Sequence, residues 1–285
     1  MIFLLGSIVT SCILVILFRI YQNQNVSLIQ AITVNYWICV GCGVIYNYDF
    51  FNQMMNLELE TYILAILQGF LFIFMFFQIG KASHELGLSY TGLLGRLSVV
   101  IPVSFSIFYF HENISFYQFL GLIFALAAIY FLSTSTTPRP IEKKHLLKRG
   151  TILFVGNGII DSIFKIFSAN YALSTPQDVF ILMVFGTAGI LGTFYLLIFE
   201  KKLQIRNISA GIILGIPNFF SLIFMLSALK LMDGTQFFPL NNIGIILFLT
   251  LVGLLFFKEK VYPKTWLGLT MTVVAITLIS ELINF

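Results

Sequence analysis

The sequence is poor in charge: only 10% of its 285 residues are Asp, Glu, Lys or Arg. A soluble domain carries roughly 25%, because water must solvate its surface. A water-soluble globule of this length is therefore excluded. The chain also lacks a Gly-x-x-x-x-Gly-Lys-Ser/Thr loop, so nothing in it cradles a nucleotide phosphate. No Gly-x-Ser-x-Gly elbow is present to suggest a serine hydrolase. His84, His111 and His145 are scattered and no Cys accompanies them, so neither a metal site nor a cofactor is expected. The three cysteines, Cys12, Cys39 and Cys42, lie in the first two apolar runs. Cys39-x-x-Cys42 sits inside a candidate membrane span with no βαβ context, and reads as packing rather than a redox pair.

What the chain has is apolar length. Hydrophobic residues make up 59%, and 32 residues are Phe. A helix needs about 20 apolar residues to cross the hydrocarbon of a bilayer. Polar clusters, Pro and Gly divide the sequence into spans at about 2–20, 28–46, 61–80, 90–110, 116–133, 150–171, 178–199, 207–229, 236–257 and 265–283. The expectation is an all-α membrane protein of ten transmembrane helices. Ten spans use about 200 residues, which leaves no length for a soluble catalytic or nucleic-acid-binding domain. The first run, Met1 to Phe18, has no basic n-region and no small-residue cleavage site, so it reads as a span and not as a cleaved signal.

The stretch from Ser133 to Gly150 is basic, holds two prolines and cannot cross. It predicts a linker at 134–149 between a five-helix half at 1–133 and another at 150–285. A shift of 147 residues then aligns Glu112 with Glu259, Leu120-Gly121-Leu122 with Leu267-Gly268-Leu269, Ala128-Ile129 with Ala275-Ile276, and Ser133 with Ser280. Gly87 and Gly234 pair at the same shift. The halves read as repeats. Five crossings is an odd number, so the second half enters from the opposite side and the repeats are inverted, as in many secondary transporters.

These features resemble the drug/metabolite transporter superfamily, in particular its ten-span EamA-type members. The resemblance rests on two five-helix repeats whose fourth helix closes on a glutamate and whose fifth contains glycine. The segments are FHENISFYQFLGLIFALAAIYFLS and FFKEKVYPKTWLGLTMTVVAITLIS, with GLLGRLSVVIPVSFSIFYFHE (Gly92 to Glu112) resembling the fourth helix. It implies a bacterial inner-membrane carrier, usually an exporter of metabolites, amino acids or drugs, driven by a gradient and not by ATP. The smaller four-helix relatives carry an acidic residue in the first helix; the first span here has none.

Charges inside a bilayer cost about 2.5–3.5 kcal/mol on insertion scales and are functional candidates by default. Arg96, Asp161 and Lys165 lie within predicted spans. Asn157, Asp161, Lys165 and Ser168 make one polar stripe on the sixth span. Asp161 can meet an ammonium or a coupling proton while Lys165 or Arg96 meets a carboxylate; equally, Asp161 and Lys165 can neutralise each other within the helix. The repeat shift places Asn242 opposite Gly95, so Asn241 and Asn242 mirror the Arg96 position, just after Pro239. Asn35, Gln68, Gln78 and Asn218 are further amides in spans, a type that more often joins helices. Glu112 and Glu259 each precede a helix, and capping or orienting it is the expected role. The candidate substrate-binding set is Arg96, Asn157, Asp161, Lys165, Asn241, Asn242, Gln68 and Asn35.

The reading is a non-enzymatic carrier, monomeric or homodimeric, that exports a small organic metabolite such as an amino acid by alternating access, with a proton or ion as the candidate coupling partner. The rival is a membrane-embedded enzyme or a non-transporting assembly subunit. Of the sixteen Lys and Arg, thirteen flank the odd loops: Arg19, Lys81, Arg139, Lys143, Lys144, Lys148, Arg149, Lys201, Lys202, Arg206, Lys258, Lys260 and Lys264. Only Lys230 lies on the even side. Positive charge stays in the cytoplasm, which puts both termini outside. A C-terminal reporter active only in the cytoplasm is expected to stay silent; a bright signal overturns this orientation or the even count.

Overall fold

The structure is a computed structural model that describes residues 1–24, 26–85, 95–133, 143–199, 203–255 and 263–279. Every regular element among the described residues is helical. In chain order they are α1 (Ile2–Asn23), α2 (Leu28–Tyr46), α3 (Phe50–Met55), α4 (Leu59–Glu85), α5 (Val100–Phe110) and α6 (Phe116–Ser133). Then come α7 (Lys143–Ile166), a π-helical turn (Phe167–Tyr171), α8 (Gln177–Phe199), α9 (Ile205–Leu229), α10 (Gly234–Leu255) and α11 (Pro263–Ile279).

Six described helices are long and apolar enough to cross a membrane, within α2, α4, α7 with its π turn, α8, α9 and α10. Shorter apolar helical stretches cover Ile2–Phe18, Gly95–Phe110, Phe116–Phe131 and Trp266–Ile279. The chain is a helical membrane protein. Gly87, Glu259, Lys201, Lys202, Lys258 and Lys260, the start of the fourth predicted span (90–94) and the linker stretch 134–142 lie outside the described residues. The basic run from Lys143 to Arg149 is helical and forms the first turns of α7. The helix α3 was not expected from the sequence.

Local chemistry sets several boundaries. At α6, Gln118 N–H donates to Ser115 Oγ at 3.1 Å while Ser115 N–H donates to Gln118 Oε1 at 3.0 Å. This is a capping box that satisfies two orphan amides reciprocally. Proline opens α11, where its missing N–H costs nothing. In the first turn of α5, Pro102 has no N–H for the Ser98 carbonyl, and Ile101 N–H takes it instead at 2.9 Å. The helical stretch Gly95–Phe110 is thereby tightened just after the turn that carries Arg96.

The described chain forms two compact units, Met1–Phe74 with Ile166–Lys230, and Met75–Lys165 with Leu231–Phe285. Each unit draws helices from both sides of the linker. In the first, α2 packs on α8 and α9, and α9 also packs on α1. Gly211 and Gly215, four apart on α9, admit α2: a β-carbon at 211 would stand 2.5 Å from the Ala31 carbonyl, and one at 215 would stand 2.5 Å from Ile38. Such small-x-x-x-small faces let membrane helices approach closely. The amino ends of α2 and α9 cap one another: Ser27 N–H donates to Asn207 Oδ1 at 3.1 Å, Gln204 N–H donates to Gln30 Oε1 at 3.2 Å, and Asn207 Nδ2 joins the two caps through Gln30 Oε1 at 2.8 Å.

In the second unit α6 packs on α11, and α10 packs on α5, α6 and α11. The later part of α4 meets α7 through Met75, Ala82 and Leu153. Gly156 on α7 accommodates the Met75 side chain, and Gly158 sits against Ile101.

Candidate functional site

Six of the eight candidate residues, Arg96, Asn157, Asp161, Lys165, Asn241 and Asn242, fall in the second unit. Asn35 and Gln68 belong to the first. There Asn35 is 1% exposed and accepts from Asn218 Nδ2 at 3.2 Å. The Cys39 thiol beside it donates to the Gly215 carbonyl at 3.3 Å. This is a packed α2–α9 contact of the joining kind. Cys39 is part of it, as a packing residue. Gln78 in the second unit accepts from Arg149 Nη1 at 2.9 Å, which fastens the end of α4 to the start of α7.

Arg96 and Asn242 meet directly. Arg96 Nη1 donates to Asn242 Oδ1 at 3.0 Å. Asn242 is 5% exposed, and its Nδ2 donates back to the Phe238 carbonyl at 3.0 Å. That second bond orients the amide, leaving Oδ1 toward the guanidinium. Pro239, inside α10, withholds the N–H that would have bonded the Thr235 carbonyl, so the helix runs on with one ladder bond missing just before the asparagines.

The polar stripe on α7 faces the same region. Asn157 Nδ2 donates to the Leu153 carbonyl at 2.8 Å and lies 3.4 Å from where a β-carbon on Gly95 would stand. One turn on, Asp161 is within electrostatic reach of Arg96. Arg96, Asn157, Asp161 and Asn242 thus form one cluster from three segments. A guanidinium fork, a carboxylate and two amides can together hold both ends of a zwitterion.

Lys165 does something else. The expected alternative of an Asp161–Lys165 pair within α7 is replaced by an ion pair to Glu112. Both side chains are 8% exposed. The ammonium also lies 5.4 Å from the Phe110 ring centroid, at cation–π distance. Glu112 in turn accepts from the backbone N–H groups of Gly234 at 3.1 Å and Thr235 at 2.9 Å. It therefore caps α10, a helix distant in sequence, and not α6, which Ser115 caps.

His111 makes this possible. Its φ of 53° is the left-handed conformation, and both its N–H and that of Glu112 turn back to the Ser106 carbonyl. A non-glycine residue there stores roughly 1–3 kcal/mol of strain, which the Glu112 contacts offset. The role of Glu112 was missed because its partners lie 53 and 122 residues away.

Burial alone would raise the Glu112 pKa. The Lys165 hydrogen bond and charge, with the amides of Thr235 and Gly234, outweigh it and hold the carboxyl below its ordinary 4.5.

No protein-family model matches the chain. It is 28% identical over 282 residues to an uncharacterized protein of Haemophilus influenzae, covering 96% of this chain and 95% of that one. A solved crystal structure shares its fold with a TM-score of 0.82 at 15% identity, covering 99% of this chain and 96% of the other.

A carboxyl whose pKa is depressed on folding stabilises the protein above its unfolded pKa, and loses that stabilisation as pH falls through the folded value. Thermal unfolding in detergent is therefore expected to show a wild-type advantage over Glu112→Gln that is constant above about pH 4.5 and shrinks below it. An advantage independent of pH down to 3 would contradict the ionised cap.

Proposed function

We propose that the chain is a secondary-active carrier of the inner membrane that exports a small organic metabolite by alternating access. Its ten crossings form two inverted five-helix repeats of the drug/metabolite transporter type. The observation that carries the reading is the Arg96–Asn242 bond. It joins the two halves of the sequence at positions that the 147-residue repeat makes equivalent to within one residue, beside Asp161. A permanent cation and a carboxylate set among apolar helices are costly, and residues of this kind mark solute or ion paths.

Two further features support it. At the shift of 147, α6 maps onto residues 263–280, and α11 occupies Pro263–Ile279. The bonded helix ends also agree with ten alternating crossings. With the amino terminus outside, the end of α2 and the start of α8 share the outer side, and Asn47 bonds Asp178 there at 2.6 Å. The end of α4 and the start of α7 share the inner side, where Arg149 bonds Gln78. The end of α5 and the start of α10 share the outer side, where Glu112 caps Gly234. If the short stretch at Gly95–Phe110 did not cross, this parity would fail.

The cluster's mixed charge favours an amphoteric solute such as an amino acid over a lipophilic cation. Cells loaded with amino acids are expected to release at least one of them faster with the wild-type protein, and Arg96→Gln is expected to cut that release at least tenfold at equal protein level. Equal efflux from wild type and Arg96→Gln would remove the binding role.

A further inference from the structure

The group that Glu112 occupies has the composition of an anion site. Two backbone N–H groups of the first turn of α10, a 22-residue helix, point at it, and the Lys165 ammonium joins them. A helix amino end favours negative charge through these unbonded amides and the aligned peptide dipoles. What distinguishes this end from a simple cap is the pair of hydroxyls beside it. Ser106 is 0% exposed and Thr235 is 4% exposed, and neither hydroxyl oxygen has a hydrogen-bond partner. Ser106 Oγ lies against Gly234, in the space a β-carbon there would need, and Lys165 Cε is 3.3 Å from that same point. Buried hydroxyls are ordinarily satisfied, because leaving one unmade costs on the order of 1–3 kcal/mol. Here the donors outnumber what the tethered carboxylate reaches: one Glu112 oxygen takes Gly234 and Lys165, and the other takes Thr235 N–H.

We infer that the amino end of α10, with Lys165 and Ser106, is a carboxylate-binding site in which Glu112 is the resident competitor, exchangeable for a carboxylate from outside the chain. The occupant is planar and two-oxygened, which sets the ligand class. A carboxylate free of the backbone can settle deeper than Glu112 and take the Ser106 hydroxyl as an additional donor. Glu112 has somewhere to go: His111 and Asn113 on either side of it are exposed, so its side chain can turn to water. The binding claim goes beyond the carrier reading. Its place in transport, as an outer subsite where a leaving solute's carboxylate trades places with Glu112, rests on that reading.

The test is thermal unfolding of the purified full chain in detergent, with sodium acetate as probe and sodium chloride and sodium phosphate at matched ionic strength as controls. A ligand that binds only the folded state raises the unfolding temperature in proportion to its occupancy. In Glu112→Ala, which vacates the site, acetate is expected to stabilise beyond chloride and to half-saturate at a concentration at least tenfold lower than in wild type. Adding Lys165→Met is expected to abolish the effect. Adding Ser106→Ala is expected to weaken acetate at least threefold, although Ser106 bonds nothing in the resident state. If Glu112→Ala does not fold, Glu112→Gln carries the same comparison with the same expected direction. Acetate no better than chloride, an acetate response indifferent to Ser106→Ala, or a response to phosphate alone would each overturn the assignment. No transport step enters this measurement, so its failure is separate from failure of the carrier reading.

Discussion

An ammonium on an apolar helix cannot be left without a counter-charge, and Lys165 meets this constraint through Glu112 rather than through Asp161 on its own helix. The choice organises the second unit. Glu112 stands at the end of the segment that carries Arg96, Lys165 stands one turn beyond Asp161, and the amides that complete the carboxylate's shell begin α10, which carries Asn242. One buried carboxylate thus ties together the three helices that supply the polar cluster. Removing one partner of such a pair leaves an uncompensated charge, which costs far more than the pair contributes when intact. Asp161 is then left to answer Arg96.

Close approach makes the rest possible. Lipid supplies little hydrophobic drive between helices, so contact rests on packing and interhelical hydrogen bonds. The glycines of α9 and α7 provide the contact surfaces, and amides such as Gln30, Asn207, Asn35 and Asn218 provide the bonds. Pro102 and Pro239 each remove one ladder bond from the helical segments that carry Arg96 and Asn242. Irregular backbone at membrane depth is tolerated where protein or water covers it.

Much of this was legible before any coordinate. Residues 28–46 and 116–133 coincide with α2 and α6, because strongly polar breaks delimit them sharply. The 147-residue shift that sets Asn242 opposite Gly95 also pointed to Arg96 and Asn242, which bond each other directly. Helix α3 was not legible: Phe50–Met55 is too short to show a period, and its order comes from packing Phe50 on Val179 and Leu182. Nor was the Lys165 partner, because spacing along one helix makes Asp161 the obvious candidate while the actual partner arrives through the left-handed turn at His111. Gly211-x-x-x-Gly215 has the small-residue spacing of a close-packing face, and α2 packs on it. Long-range pairing of side chains is what a single sequence conceals; the residues needed for it were conspicuous all the same.

The central physical claim is that Glu112 and Lys165 act as one unit, and a double-mutant cycle on unfolding free energy measures this directly. Glu112→Gln and Lys165→Met are each expected to destabilise by on the order of 3–5 kcal/mol, as for a buried pair broken on one side. The double variant is expected to be no worse than the poorer single one, because it leaves no charge stranded. Losses that simply add would contradict the account.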